Sequence, residues 1–463
     1  MALRTRLAES LHTPRMGVFR EGGPMTRILL LNPPAERPIM RDTIHPTAKS
    51  AMYIWHPLDL LIQSAHMRDM ELRIHDGVVT PGFKALERTL KAFRPDGVFS
   101  LVAWPTIDSD MRILRWIKET TGAVIFAEGD ITYGQKEVFL EEYSFLDGIL
   151  ADFTSQGFVR RMRGEAPINA AWWENGKVVS DWKRDPVDYG VPRHELLRLD
   201  QYYLPYWKPP FASVYGSHGC SSKCSFCPVP DLGAPMFRPL ERVIEELEFL
   251  YDMGVRKVFF REATFNLSAT NTIRLCETIA RRFPGMRFTC WFRPNPLSRE
   301  IVDAMADAGF EYAHIGVETG SAEFLRALNK DFELADVPRA VEMMKRRGIK
   351  TIGHFMIGVP GEREKDRRET IRYLRKTRLS VVSVGAYEES FGAKLRHDAA
   401  TRQSDRILRW RLIQMMAAFY TRLDRWPGFF GFVEDAGHLA VSLFRFADYL
   451  LSMRLFPRVS AWS

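Results

Sequence analysis

The chain has 463 residues, 46% hydrophobic and 26% charged, a globular balance over more chain than one core organises, so two or three domains are expected. Five cysteines are too few for a disulfide scaffold, and no run of about 18 apolar residues argues for a transmembrane helix. The net charge of +8 comes from scattered arginines, and no basic stretch interleaved with aromatics marks a nucleic-acid surface.

Residues 1–25 read as a polar leader without the apolar core of a secretory signal, which predicts a cytoplasmic protein. From 26 to 154, short apolar runs alternate with helical patterns. "RILLLN" (27–32), closed by Pro33-Pro34, is the first strand, and "ELRIH", "GVFSLV", "AVIFAE" and "LDGILA" follow. This spacing predicts a parallel sheet with helices on both faces, a doubly wound domain. Residues 155–210, rich in Trp, Tyr and Pro, read as a linker packed between domains.

A second series covers 211–395. Six strand candidates, "FASVYG", "KVFFRE", "RFTCWF", "YAHIGVE", "TIGHFMIG" and "VVSVGAY", are separated by helical stretches. Six βα units fall short of a closed eight-stranded barrel, so a partial (βα)6 barrel is expected, its chemistry at the C-terminal strand ends. From 396 to 463 the pattern is helical. Leu439, Leu443, Phe444, Phe446, Leu450 and Leu451 form a broad apolar stripe on a helix over 436–456. Such a face either docks on the barrel or makes a peripheral membrane contact.

Three of the five cysteines lie just past the first barrel strand, in "GSHGCSSKCSFCPVP" (216–230). Thiolates suit zinc or iron–sulfur clusters. A structural zinc site wants four protein ligands; here there are three, with no second cysteine pair, and His218 lies only two residues from Cys220. A 4Fe–4S cluster on Cys220, Cys224 and Cys227 is the stronger reading, and it leaves one iron open.

Cys-x3-Cys-x2-Cys after the first strand of a six-stranded βα barrel resembles the radical S-adenosylmethionine (SAM) superfamily. The resemblance implies that the three cysteines hold the cluster and that the open iron chelates the amino and carboxylate groups of SAM. It implies further contacts with that cofactor. Phe226 would pack near the adenine. Glu318 and Ser321 of "GVETGS" would lie on the ribose side, and Gly358 and Gly361 of "MIGVPGE" would allow close backbone approach. Arg293 of "WFRPN" would face the carboxylate, and backbone carbonyls near Glu262 of "FREATFN" would meet the amino group.

A doubly wound domain ahead of such a barrel is similar to the cobalamin-binding branch. The implied corrin lining is the strand tips: Asn32, Pro33, Trp104, Pro105, Thr106, Glu128 and Gly129. No Asp-x-His-x-x-Gly occurs, so cobalt would have no protein histidine, and "FAEGD" puts bulky Glu128 where relatives turn on two glycines. The overall layout also resembles the tetrapyrrole- and lipid-modifying members, among them the magnesium-protoporphyrin oxidative cyclase group.

The resemblance thus implies an enzyme that generates a 5′-deoxyadenosyl radical and methylates an unactivated carbon of a small molecule, a tetrapyrrole or lipid being the candidate class. An external donor such as flavodoxin or ferredoxin would supply electrons. The alternative is a cyclase or oxidase without methyl transfer, its N-terminal domain degenerate for cobalamin.

Overall fold

The computed structural model describes residues 25–452 apart from 37, 45–52, 131–133, 135, 184–187, 388, 390–392, 397–402 and 427–433; the leader lies outside them except for Met25. All five expected N-terminal strands form. They are β1 (Arg27–Asn32), β2 (Glu71–Asp76), β3 (Gly97–Val102), β4 (Val124–Gly129) and β5 (Gly148–Leu150). They are parallel, in the order β2-β1-β3-β4-β5.

The alternation of β1 splits its side chains between two cores. Leu29 and Leu31 pack with α2 (Phe83–Phe93) and α3 (Ile107–Thr121). Ile28 and Leu30 pack with α1 (Leu58–Ala65) and α5 (Gly157–Met162). Helix α4 (Lys136–Glu142) lies before β5. The strand order reverses between β1 and β3, which puts the ligand-binding crevice of such a sheet above Asn32 and Trp104.

The span expected to be a linker is not one throughout. It contributes α5 and a hairpin, β6 (Ala170–Glu174) and β7 (Lys177–Asp181), which joins β5 antiparallel and makes the sheet seven-stranded. Its turn is Asn175-Gly176, both at positive φ (49° and 75°), the geometry that matches strand twist in a two-residue hairpin. The rest of the span does pack between domains. Tyr202, Tyr206 and Trp207 are buried with Trp55 of the N-terminal half against Phe259, Tyr312 and Ile352 of the barrel.

The second sheet opens with β8 (Ala212–Val214). A clip follows, β9 (Ser217–His218) antiparallel to β10 (Met236–Phe237). Then come β11 (Lys257–Phe260), β12 (Arg287–Phe292), β13 (Phe310–Glu318), β14 (Lys350–Ile357) and β15 (Val381–Ala386). With β8 they form the expected six parallel strands in chain order, open between β8 and β15. Helices α6 (Leu240–Asp252), α7 (Ala269–Arg282), α8 (Arg299–Asp307), α9 (Ala322–Ala327), α10 (Asp336–Arg346) and α11 (Glu364–Lys376) alternate with them. Ser268 and Ser298 cap α7 and α8 by accepting the N–H of Asn271 and Ile301. Cys276 and Cys290 are fully buried in the core between sheet and helices.

The C-terminal region is helical, with α12 (Asp405–Tyr420) and α13 (Ala436–Ser452). Helix α13 docks through polar residues. His438 lies 3.0 Å from the Leu204 carbonyl, the Ser442 and Tyr203 hydroxyls are 2.5 Å apart, and Arg445 lies over the Tyr203 ring. Leu443 and Phe444 of the expected stripe are 50% and 74% exposed, while the side chains of Phe446, Leu450 and Leu451 lie outside the described residues. No helix among the described residues is long and apolar enough to cross a membrane.

Candidate functional site

The cysteine loop leaves the first barrel strand at the end where βα barrels do chemistry. Its base is closed by the β9–β10 clip and by Gly219 (φ 84°), whose missing Cβ would stand 2.9 Å from the Gly233 carbonyl oxygen. Only glycine allows this approach in this conformation. A second segment, Leu328–Asp331, runs alongside and holds the loop. The Ser225 N–H donates to Leu328 O (3.0 Å), Asn329 Nδ2 donates to Lys223 O (2.6 Å), and Ser222 Oγ donates to Asp331 Oδ2 (3.0 Å). From the C-terminal side, the Lys394 and Leu395 N–H groups both donate to Ser225 O.

Within this frame Cys220, Cys224 and Cys227 are partly exposed, whereas Cys276 and Cys290 are buried. Burial, followed by the neighbouring thiols, pushes Cys227 up to about 12, and burial raises Cys224. Cys224 and Cys227 are therefore neutral thiols, and binding metal there must release protons. Among the described residues no group of three or more His, Cys, Asp and Glu is arranged to hold a single metal ion. A 4Fe–4S cluster takes its thiolates around a larger body, and three thiols on one restrained loop fit that donor set.

Around the loop the expected SAM residues divide. Phe226 packs with Phe324, Leu328, Val359 and Tyr387. Arg293 pairs with Asp331 through Nη2, while its buried Nε has no partner, an orphan donor suited to an anion. Glu318 sits at φ 65°, rare for a residue with a side chain, and pairs with Lys330 at 2.9 Å. Glu262 is buried, accepts the Gly216 N–H at 3.4 Å, and is pushed up to about 8 by burial.

Two of the expected residues also meet partners from later in the chain. Ser321 is fully buried; its hydroxyl caps α9 and donates to Asp366 Oδ1 at 2.7 Å. Gly358 (φ 71°) turns its bare face to Leu408 of α12, 2.6 Å from where a Cβ would lie. Gly361 (φ 83°) has only Phe324 within 4 Å of that position, at 3.9 Å.

On the inner face of the barrel, Trp291, His354, Met356 and Ser383 are only partly buried. A chain of hydrogen bonds ends there. The Tyr206 hydroxyl lies 2.8 Å from His314 Nε2, and His314 Nδ1 lies 2.9 Å from His354 Nε2. Burial pushes His354 down to about 4, so it is neutral at physiological pH.

The crest of the N-terminal sheet is partly filled by residues 39–44. Arg41 donates to Asn32 Oδ1 and to the Pro33 carbonyl, reaches Thr106 Oγ1, and makes a two-point ion pair with Asp110, both side chains fully buried. Thr43 donates to Glu128 Oε1. Asn32, Thr106 and half of the Glu128 carboxylate are thus occupied by the chain itself, a tertiary contact that strand-tip reasoning does not foresee. Trp104 stays 41% exposed, with Pro105 beside it.

Gly129 (φ 139°) lies against β3, where a Cβ would be 2.0 Å from Val102 O. Two buried acceptors at the crest, Glu128 Oε2 and Asp59 Oδ1, have no partner. Orphan carboxylate oxygens need N–H or O–H donors, and the peripheral amides of a corrin are such donors, so the site fits that group. Arg261 and Asp42 tie crest to barrel: Arg261 pairs with Asp42 and donates to His56 O at 2.7 Å. Crest and cysteine loop meet directly. The Phe153 ring, just past β5, lies 4.7 Å from the His218 ring and 5.2 Å from Tyr215, and Cys220 and Cys227 pack against the same cluster.

Residues 214–374 match the family model described as "Radical SAM superfamily". An uncharacterised methyltransferase of Pyrococcus horikoshii is 26% identical over 374 residues, 76% of this chain and 78% of that one. Among solved structures, the radical SAM methyltransferase TsrM of Kitasatospora setae, with cobalamin and a 4Fe–4S cluster bound, superposes with a TM-score of 0.61 at 17% identity. The match covers 80% of this chain and 77% of TsrM. The cobalamin-dependent radical SAM enzyme OxsB superposes with a TM-score of 0.60 at 16% identity, over 76% of this chain but only 52% of OxsB. The doubly wound sheet followed by an open βα barrel is therefore a fold shared with both, and the three cysteines stand at the head of the span that matches the radical SAM model.

Proposed function

We propose that the chain is a cobalamin-dependent radical SAM enzyme that methylates an unactivated carbon of a small molecule. The observation that carries this reading is the contact of the sheet crest with the cysteine loop through Phe153, Tyr215 and His218. That contact sets the candidate corrin residues of the crest beside the candidate cluster loop. When bound, the cluster with SAM supplies a carbon radical and the corrin supplies a methyl group.

The protein's part is binding and positioning. Cys220, Cys224 and Cys227 ligate, Arg293 offers its orphan Nε to a carboxylate, and Phe226 gives an apolar wall. Glu128 and Asp59 accept amide donors at the crest. Trp291 and His354 line the lumen where substrate would lie, away from bulk water. A flavodoxin- or ferredoxin-type donor supplies electrons. A lipophilic substrate such as a tetrapyrrole or lipid would arrive along the exposed apolar side chains Leu443, Phe444, Ile407, Trp410 and Ile413.

Anaerobic purification, with iron, sulfide and corrinoid measured per chain, tests the cofactor set. A chain that binds cluster but no corrinoid would reduce the reading to a cyclase or oxidase. With a turned-over substrate, S-adenosylhomocysteine and 5′-deoxyadenosine should form in roughly equal amounts; 5′-deoxyadenosine alone would exclude methyl transfer.

A further inference from the structure

The inner face of the barrel carries a hydrogen-bonded ladder that neither cofactor site uses. Its foot is Tyr206, buried with Trp207, Tyr312 and Ile352. The Tyr206 hydroxyl lies 2.8 Å from His314 Nε2, and His314 Nδ1 lies 2.9 Å from His354 Nε2. Aromatic neighbours hold the rungs in place. The His314 ring lies 5.2 Å from Phe259 at an interplanar angle of 19°, and its plane is within 21° of the His354 ring. Trp291 closes one side, 4.9 Å from His314 and 4.8 Å from His354. On the same face of β14, Ile352 belongs to the floor and Met356 to the group that includes Phe226, the residue before Cys227. His354 stands between the two, about 7 Å along the strand from each. Its Nδ1 ends the ladder. Among the described residues this nitrogen has no hydrogen-bond partner, and His354 is only partly buried. A partly desolvated ring nitrogen without a partner is costly unless a ligand supplies one.

The tautomer at this end is dictated from the floor. A buried phenol donates its proton, and the acceptor at hand for Tyr206 is His314 Nε2. His314 then carries its own proton on Nδ1 and donates to His354 Nε2, which leaves the His354 proton on Nδ1. We propose that His354 is a substrate-reading residue that presents Nδ1–H to an uncharged hydrogen-bond acceptor, a carbonyl or ether oxygen or a ring nitrogen, on an otherwise apolar part of the substrate. The inference rests on the radical SAM reading and narrows its substrate class. Burial holds His354 neutral, and no charged neighbour contributes among the described residues, so the ring offers no counter-charge. A carboxylate or phosphate placed there would be left unpaired and is excluded. An analogue without the acceptor leaves the N–H unsatisfied and is rejected for that reason.

Two measurements on the full-length chain test it without the natural substrate. In protein with isotope-labelled histidine, long-range proton–nitrogen correlation should show His354 as the neutral Nδ1–H tautomer, the minor form of a free imidazole side chain in water. Tyr206→Phe should return it to Nε2–H. An Nε2–H form in the wild type, or a tautomer that Tyr206→Phe leaves unmoved, overturns the proposal. The probes for the acceptor are indanone, flat and apolar with one carbonyl, and indane, which lacks it. Indanone should bind about tenfold more tightly and shift the His354 Nδ1 signal. His354→Leu should erase the difference between the probes, and His354→Asn, which keeps an N–H donor near the Nδ1 position, should retain part of it. Equal binding of the two probes, or no shift at His354 with millimolar indanone, refutes the proposal. Either failure leaves the radical SAM reading intact, because that reading is decided by iron, sulfide and corrinoid content; a chain that takes up no cluster refutes the reading and with it the substrate role of His354.

Discussion

Arg41→Ala tests how far the crest of the N-terminal sheet depends on one buried cation. In the native protein Arg41 Nε and Nη2 donate to the two oxygens of Asp110 at 2.9 and 2.7 Å, with both side chains at zero exposure. Asp110 also accepts from Thr106 Oγ1 at 2.9 Å and from the Ala103 N–H at 3.2 Å. Truncation leaves those two donors, removes the counter-charge, and strips Asn32 Oδ1 and the Pro33 carbonyl of their shared donor. Breaking a buried pair from one side costs roughly 3–5 kcal/mol. Burial already raises Asp110 above the ordinary carboxylate range, so the variant takes up a proton there rather than holding a lone buried anion, which favours the lower end.

For a unit of 150–250 residues, 3–5 kcal/mol lowers Tm by about 6–20 °C. Differential scanning calorimetry, read on the N-terminal transition, is the assay. The double variant Arg41→Met/Asp110→Leu should recover most of the loss, because an apolar pair of similar volume avoids the desolvation cost. A single-variant loss below about 1 kcal/mol would show that the pair behaves as a solvated one and that the buried strap is wrongly read.

Substituting any of Cys220, Cys224 or Cys227 by Ala should abolish the iron–sulfur absorbance, whereas Cys276→Ala and Cys290→Ala should retain it and lose only core packing; a fully loaded Cys224→Ala protein would refute the ligand set. Glu128, pushed up to about 8 by burial, ionises in the unfolded chain at a lower pH than in the folded one. Its contribution is therefore complete below about pH 4.5 and lost as pH rises through about 8. Glu128→Gln should flatten denaturation midpoints across that window in the corrinoid-free protein, and an unaltered pH profile would contradict the burial argument. The exposed Leu443 and Phe444 predict flotation with anionic liposomes, weakened by Leu443→Ser/Phe444→Ser; no flotation at low salt would exclude the membrane contact.

All eleven strands proposed for the two parallel sheets were legible because period and spacing are local properties. The hairpin was legible too, in Asn175-Gly176, but the surrounding aromatics and prolines masked it as a linker. The surroundings of Ser321 and Gly358 were not legible for another reason. The motifs name a residue but not what approaches it: Asp366 arrives from α11 and Leu408 from α12, 45 and 50 positions later.

By itself the sequence determined the two alternating βα series and the grouping of three thiols on one loop, since hydrophobic period and thiol spacing act over a few residues. Tertiary structure decided the rest. Arg41 and Lys330 are two of 65 basic residues, and nothing local distinguishes them. They become a crest strap and the partner of Glu318 only where folding removes water, because there an ion is tolerated only beside the partner that the fold brings to it.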